Sequence, residues 1–169
     1  QPNRNRLLWK DNSSDGVKTG HTESAGYCLI SSAKRNDMRL IAVVAGAKSD
    51  KERFNDTQRL LEYGFRFYST QEVIKKDNAL KDVDVWGGKK NLVSLGAENN
   101  IKLTLPRTTF KNITISYDFQ NNLRAPIKEG QTLGTLVIKE GEKTLHTENL
   151  VALNDVEAKG FFGRLWASL

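Results

Sequence analysis

Two β-like runs followed by one amphipathic segment constrain what the first part of this chain can fold into. Residues 25–33 and 38–45 are rich in Leu, Ile, Val and Tyr, and the polar turn between them predicts an antiparallel hairpin. Residues 50–68 then repeat apolar side chains at helical spacing, after a capping Ser49 or Asp50. The pattern predicts neighbouring strands of one sheet with a helix packed against them.

The segment before the hairpin, Lys18-Thr19-Gly20, holds the residue types best suited to catalysis. It follows a polar turn and an apolar valine, which predicts a strand at the edge of the same sheet. A lysine supplies an ammonium, a threonine supplies a hydroxyl for an anionic group, and a glycine lets a substrate chain lie against the backbone. A main-chain N–H near His21 would donate to a developing oxyanion. The triplet is typical of an acyl-transfer site, although it also forms ordinary strand ends and turns.

Several short segments occur in a fixed order along the chain. They are Arg4-Asn5-x-Leu7-Leu8-Trp9, Asp15-Gly16-Val17-Lys18-Thr19-Gly20-His21-Thr22, Ala25-Gly26-Tyr27, Met38-Arg39-Leu40-Ile41 and Leu60-Leu61-x-x-Gly64-Phe65-Arg66-Phe67, followed more loosely by Ser94-Leu95-Gly96, Leu105-Pro106-Arg107 and Gly160-Phe161-Phe162-Gly163. Together they resemble the D-alanyl-D-alanine carboxypeptidases, the low-molecular-mass penicillin-binding proteins of bacterial envelopes. The resemblance implies an α+β fold: the C-terminal strands and last helix of a transpeptidase- or β-lactamase-like domain, followed by an all-β sandwich domain.

The resemblance has one important departure, because these serine acyltransferases use three motifs, S-x-x-K, S-D-N and K-T-G. Only the third stands in its expected place, and no Ser-x-Asn occurs in the sequence. The formal match Ser31-Ser32-Ala33-Lys34 lies in a β-like run, where residues i and i+3 point to opposite faces. We interpret that match as coincidental. We therefore expect the nucleophile to lie outside this sequence and the chain alone to be inactive.

The resemblance implies a role for each residue of the K-T-G strand. The substrate would be a peptidoglycan pentapeptide ending in D-Ala-D-Ala, and β-lactam antibiotics would acylate the same serine. Lys18 would assist proton movement and orient the substrate, and Thr19 would hold the terminal carboxylate. Gly20 would leave room for the substrate chain, and the His21 N–H would help to bind the oxyanion.

Two arginines are assigned to the same site by the resemblance. Arg53 would help Thr19 to bind the terminal carboxylate, because a guanidinium can grip a carboxylate with two hydrogen bonds. Arg4 would lie near the substrate cleft. The simpler alternatives are a solvent-facing Arg4 and a surface Arg53 that pairs with Asp50 or Glu52.

The composition changes near residue 69, where a charged stretch without helical periodicity begins. Beyond it, apolar and polar residues alternate in several short runs, and Glu140-Gly141-Glu142-Lys143 is a hairpin-turn signal. Short strands at this spacing predict a small β-sandwich. The predicted division is 1–69 for the catalytic part, 70–154 for the sandwich and 155–169 for the start of an anchor segment.

The last residues carry one apolar stripe of a helix, which includes Phe161, Phe162, Leu165 and Trp166. An aromatic-rich stripe of this type suits a membrane interface. The resemblance implies an anchor that holds the protein on the outer face of the inner membrane, in the bacterial periplasm. The alternative is a terminal helix that docks on the protein itself.

Charge and composition argue against several other functions. The net charge is +6, but basic residues are interleaved with acidic ones, so we predict no nucleic-acid binding. His21, His146 and Cys28 do not show ligand spacing, and we predict no metal site and no cofactor. A rival hypothesis is a non-enzymatic envelope module that retains an inert K-T-G strand. An unpaired sheet edge would also permit a homodimer or a swapped assembly.

Overall fold

The computed structural model describes residues 3–160, which form two compact units. The first unit holds the residues up to Gln71 together with Thr104–Arg107, and the second holds Glu72–Leu103 and the residues from Thr108 onward. The predicted division after residue 69 falls within a strand, Tyr68–Ile74. The chain therefore passes between the units inside regular structure and not through a linker.

The first unit is a three-stranded antiparallel sheet with one long helix. Its elements are α1 (Leu7–Lys10), β1 (Ser14–Thr22), β2 (Gly26–Arg35), β3 (Met38–Ala47) and α2 (Asp50–Phe67). The sheet order is β1-β2-β3, so β1 lies at an edge of the sheet that the described residues form. The predicted hairpin, edge strand and helix are confirmed.

Helix α1 lies before β1, in a segment for which the sequence analysis predicts no helix. Leu7 is fully buried, and its N–H donates to the side-chain oxygen of Asn5 at 3.1 Å. The Asn5 amide in turn donates to the carbonyl of Gly16 at 3.1 Å. Burial of Leu7 next to β1 thus stabilises a turn of helix that local composition does not predict, because tertiary packing overrides propensity.

Helix α2 begins at a capped N-terminus and packs one face on the sheet. The Ser49 hydroxyl accepts from the Glu52 N–H at 3.1 Å, and the Glu52 carboxylate accepts from the Lys48 N–H at 2.8 Å. Leu61 and Phe65 are buried against the sheet. The core of the unit comprises Leu7, Leu29, Ala33, Met38, Ala42, Leu61 and Phe65.

The C-terminal end of α2 is closed by contacts with distant residues. Gly64 permits a close approach to β3, since a Cβ there would lie 2.4 Å from Leu40 Cδ1. The Arg107 side chain donates to the carbonyls of Phe65 and Arg66 at 3.1 and 3.0 Å. These are carbonyls that a helix end leaves without partners inside the helix. The contact explains why Thr104–Arg107 belongs to the first unit.

Arg35 joins the segment before β1, the sheet and α2. Its guanidinium donates to the carboxylates of Glu62 at 2.6 Å and Asp11 at 3.1 Å. It also donates to the Ser13 hydroxyl at 3.2 Å and lies 4.4 Å from the centre of the Phe65 ring. The hydrogen bond from Arg35 lowers the pKa of Glu62. Burial by itself would raise the pKa of Asp11, but hydrogen bonds from Ser13 and Arg35 outweigh it and lower that pKa.

The second unit consists of β-strands around one core. The strands after α2 are β4 (Tyr68–Ile74), β5 (Lys81–Trp86), β6 (Leu92–Ala97), β7 (Ile101–Pro106), β8 (Ile113–Phe119), β9 (Leu123–Arg124), β10 (Thr132–Glu140) and β11 (Lys143–Ala152), with a 3₁₀ turn at Thr109–Lys111. Six of them form a sheet in the order β8-β10-β11-β6-β5-β9, and β4 pairs with β7. The β4 and β7 strands are divided between the two units.

The core of the second unit combines residues of its sheet with Ile74 of β4 and Ile101 of β7. These two residues pack with Leu95, Leu136 and Leu150 of the six-stranded sheet. The all-β architecture predicted here is confirmed, as is the hairpin turn that joins β10 to β11. Strand β6 departs from the alternation on which that prediction rests, because its last three residues are all buried.

Replacing Arg35 by methionine is expected to weaken the first unit at neutral pH and much less in acid. Asp11 and Glu62 have lowered pKa values in the folded chain. Their contacts with Arg35 therefore stabilise the folded chain at any pH above the pKa values of the unfolded chain, which are about 4. That stabilisation is lost as the pH falls through the folded-state values. We expect a loss of about 1–2 kcal/mol at neutral pH, since Glu62 is partly solvated. Chemical unfolding followed by the helix signal in circular dichroism measures the change.

Arg59→Met is the matched control on the same helix. Arg59 is 81% exposed and its carboxylate partner, Asp56, is 3.7 Å away, so its loss is expected to change stability little. A loss from Arg35→Met that is equal at acid and neutral pH would contradict the role assigned to Asp11 and Glu62.

Candidate active site

An open cleft of about 910 Å³ runs along β1 and the N-terminal end of α2. Its lining residues are Asn3, Arg4, Arg6, Lys18, Thr19, Gly20, His21, Tyr27, Asp50 and Arg53. The list includes every residue that the sequence predicted for a catalytic or substrate-binding site. Folding of the first unit therefore brings those predicted residues to one place.

Strand β1 presents the K-T-G residues at a sheet edge. It pairs with β2 on one side, and no strand among residues 3–160 pairs with its other side. Lys18 is exposed, and its ammonium donates to the carbonyl of Thr19 at 2.7 Å. A Cβ at Gly20 would make only an ordinary contact, 3.9 Å from Cys28 Cβ. The edge is thus open to an extended peptide, which Gly20 does not obstruct.

Arg53 is a buried cation that joins α2 to the K-T-G strand. It is 4% exposed and donates to the carbonyls of Gly20 at 3.0 Å and Cys28 at 3.3 Å. It is also ion-paired with Asp50 in the first turn of α2. The alternative of a surface arginine is wrong, because the Arg53 side chain is buried. The pairing with Asp50 that this alternative included is present. Arg53 therefore holds β1 against the start of α2 and forms part of the cleft wall.

Tyr27 and Arg6 complete the cleft wall, and the sequence did not single out either of them. The rings of His21 and Tyr27, which are cross-strand partners, have centres 4.0 Å apart. The Arg53 guanidinium lies 5.3 Å from the centre of the Tyr27 ring, and Arg6 pairs with Asp50 at 3.1 Å. The register across the short turn between β1 and β2 is the signal that would have placed Tyr27 opposite His21.

The cleft wall carries an excess of positive charge. Arg4, Arg6, Lys18 and Arg53 contribute cations, whereas Asp50 is the one carboxylate among the described residues of the lining. A concave surface of one sign concentrates ions of the opposite sign. The cleft therefore favours a ligand with an anionic group such as a carboxylate.

Ser31, the serine of the formal S-x-x-K match, is fully buried on β2. Its hydroxyl donates to the carbonyl of Gly16 at 3.0 Å, while Lys34 is exposed. The two side chains have opposite environments, as expected for positions i and i+3 of a strand. Ser31 is also absent from the cleft lining.

Other predicted features can be located only in part. Among residues 3–160, no group of three or more His, Cys, Asp or Glu side chains is placed to hold a metal ion. Within the same stretch, no helix has both the length and the apolar character needed to cross a bilayer. The predicted anchor residues Phe161, Phe162, Leu165 and Trp166 lie outside the described residues.

Comparison with known proteins assigns both parts of the chain to one family. Residues 1–49 match the family model of D-alanyl-D-alanine carboxypeptidases, and residues 68–158 match that of the penicillin-binding protein 5 C-terminal domain. The second match covers more than half of the chain. The chain belongs to the low-molecular-mass D-alanyl-D-alanine carboxypeptidase family. The resemblance seen in the sequence is confirmed.

Individual members of the family are similar along almost the whole chain. D-alanyl-D-alanine carboxypeptidase DacC of Escherichia coli (strain K12) is 47% identical over 98% of this chain and 42% of its own length. DacA of the same organism is 39% identical over 98% of this chain and 41% of its own length. The crystal structure of penicillin binding protein 5 from Haemophilus influenzae has a TM-score of 0.75 and 38% identity, covering 93% of this chain and 46% of that protein. The chain thus spans less than half the length of these relatives.

Gly20→Ala is expected to leave the stability of the first unit unchanged within about 0.5 kcal/mol, because a Cβ there meets no close neighbour. Gly26→Ala, at the first residue of the next strand, β2, is expected to cost about 1–3 kcal/mol. Gly26 has a φ of +64°, and a Cβ there would lie 2.9 Å from the carbonyl oxygen of Ala47. Chemical unfolding of the two variants beside the parent chain tests the contrast. Equal destabilisation would show that Gly20 serves sheet packing and not an open edge.

Proposed function

We propose that this chain supplies one wall of the active site of a serine-type D-Ala-D-Ala carboxypeptidase. The observation that carries the proposal is the cleft in which the K-T-G residues line an open strand edge beside cationic side chains, in a chain of this family. In such an enzyme a serine hydroxyl attacks the peptide bond between two D-alanines, and the terminal D-alanine leaves with a proton. Water then hydrolyses the acyl-enzyme.

The substrate peptide would lie along the free edge of β1 as an added strand. Lys18, whose ammonium is exposed beside the Thr19 carbonyl, would assist proton movement between the serine and the leaving amine. The His21 N–H would donate to the oxyanion of the tetrahedral intermediate. Gly20 would keep the path of the peptide free of side-chain atoms.

The terminal carboxylate of the substrate would be bound by Thr19 and Arg53. Arg53 already donates to two backbone carbonyls and to Asp50, which leaves part of its guanidinium for a ligand. We therefore assign the direct hydrogen bond to the Thr19 hydroxyl and a largely electrostatic contribution to Arg53. Arg4, on the same wall, would add to the attraction.

The nucleophilic serine would come from sequence outside these 169 residues, because no serine within them meets the motif in a suitable place. The proposed division keeps residues 1–69 as part of the catalytic domain, 70–154 as the β-sandwich and 155–169 as the start of an anchor. The substrate would be the peptidoglycan pentapeptide, with β-lactams as acylating inhibitors. The proposed location is the bacterial periplasm, on the outer face of the inner membrane.

The 169-residue chain alone is expected to remain unmodified by benzylpenicillin, as measured by intact-protein mass.

In the complete protein, Lys18→Gln is expected to slow acylation by benzylpenicillin at least about 100-fold, because the variant loses the cation that assists proton transfer. Lys34→Gln is the matched control, since Lys34 is the exposed lysine of the formal S-x-x-K match. Its acylation rate is expected to stay at the parent level.

Two results would contradict these assignments. A benzylpenicillin adduct on the isolated chain would place a nucleophile within it and would make Ser31 the first residue to test. Equal slowing by Lys18→Gln and Lys34→Gln would remove the special role of Lys18.

The tail is proposed to bind the membrane surface through its aromatic stripe. The 169-residue chain is expected to float with vesicles of phosphatidylethanolamine and phosphatidylglycerol, and a chain that ends at residue 160 is expected to float several-fold less. Equal flotation of the two chains would reject the tail as an anchor.

The acylation experiment distinguishes the rival hypothesis of a non-enzymatic module, because that hypothesis predicts no effect of Lys18→Gln.

A further inference from the structure

Two large apolar side chains are exposed on one face of the sheet at one end of the second unit. Trp86 is 50% exposed and Leu92 is 51% exposed. Leu92 pairs with Asp84 across the β5–β6 hairpin, so Trp86, two residues after Asp84, lies on the same face of the sheet. Half-exposed apolar residues that share one face mark interaction surfaces more often than isolated ones do.

Cations surround this apolar pair. Arg124 is the strand partner of Trp86, and its guanidinium lies 5.2 Å from the centre of the indole ring. Lys89 and Lys90 are exposed in the turn between β5 and β6. Glu157 pairs with Lys89 at 2.5 Å, and the exposed carboxylate of Asp84 lies on the same face as Trp86. Lys90 and Arg124 therefore supply the positive potential, which Asp84 offsets in part.

The segment that leads to the tail is fixed to the same turn. The Lys89 N–H donates to the carbonyl of Glu157 at 2.7 Å, and the Lys159 N–H donates to the carbonyl of Gly87 at 2.8 Å. Gly88 makes this pairing possible, since a Cβ there would lie 2.6 Å from Val156 Cγ1. The chain therefore leaves the second unit beside Trp86.

The apolar stripe of the tail begins only two residues after Lys159, at Phe161. Two residues span at most about 7 Å. Any surface that the start of the tail binds is therefore within reach of the turn between β5 and β6.

We propose that the second unit makes a second contact with an anionic lipid bilayer. The contact is formed by a group of residues here called the Trp86 surface: Trp86, Leu92, Lys89, Lys90 and Arg124. Indole rings favour the level of the lipid headgroups, and lysines near anionic lipids each strengthen binding. The proposal rests on the proposed tail anchor and deepens it. With two contacts, the second binds at a high effective concentration once the first is made, and the second unit is held in one orientation.

A saccharide is the alternative ligand for the Trp86 surface. Asn91, Asn121 and Asn122 line a cavity of about 690 Å³ together with Trp86 and Arg124. Amides beside an aromatic ring suit a sugar. The tethered tail and the surplus of cations favour the bilayer instead, since a neutral sugar requires neither.

Single-tryptophan variants of the 169-residue chain test the proposal. The chain has three tryptophans, Trp9, Trp86 and Trp166, and in each variant two are replaced by phenylalanine. Quenching is measured with vesicles of phosphatidylethanolamine and phosphatidylglycerol whose acyl chains carry bromine. We expect strong quenching of Trp86 and of Trp166. Trp9 is the matched control, because it is more exposed than Trp86, at 68%, and lies outside the Trp86 surface. The proposal assigns Trp9 no lipid contact, so it is expected to remain unquenched.

The outcomes separate the Trp86 surface from the tail. Quenching of Trp166 without Trp86 would overturn the Trp86 surface and leave the tail anchor intact, whereas quenching of neither would overturn both. Quenching of all three would indicate adsorption without orientation and would also overturn the proposal. A response of Trp86 to soluble glycan fragments, without quenching by brominated lipid, would assign the surface to a saccharide.

Charge variants provide an independent check. Lys90→Gln is expected to weaken partitioning to vesicles containing phosphatidylglycerol about fivefold, and to leave partitioning to zwitterionic vesicles unchanged. Lys143→Gln is the control, because Lys143 is an exposed lysine at the opposite end of the same sheet. Equal effects of the two substitutions would overturn a localised contact.

Discussion

The buried guanidinium of Arg53 is the contact on which the geometry of the first unit depends. A cation this far from solvent is tolerated only with well-placed partners, because an unpaired buried charge costs several kcal/mol. Its partners are the Gly20 and Cys28 carbonyls and the Asp50 carboxylate. Satisfying all three fixes the edge strand, the hairpin and the first turn of α2 relative to one another. The cleft wall is a consequence of that arrangement.

In the second unit, the corresponding arrangement depends on a steric constraint and not on a buried charge. Gly88 lies so close to Val156 that no side chain fits there, which allows the end of the described chain to pair with the β5–β6 turn. The exposed Trp86 and the path of the chain toward the tail are thereby placed together. In both units, residues far apart in the sequence make a contact that fixes the place of a surface. The residues next to that contact supply the chemical groups of the surface.

Much of the first unit could be predicted from the sequence, because its signals are local. The turn before β3 and the cap of α2 act within a few residues, and the K-T-G residues identify the edge strand by their chemistry. Helix α1 was missed because the burial of Leu7 stabilises it, and Tyr27 was missed because only strand register brings it to His21. The roles of the site residues in catalysis remain predictions.

By itself, the sequence determined the order and type of the main elements, the family, and six of the residues that line the cleft: Arg4, Lys18, Thr19, Gly20, His21 and Arg53. Only the tertiary structure decided how those residues are held. It made Arg53 a buried link to a carbonyl 33 residues away, placed Ser31 in the interior, and brought Gly88 against Val156. The reason is physical: periodicity, caps and turns depend on neighbouring residues, whereas the burial and hydrogen-bond partners of a side chain depend on which distant segments pack around it.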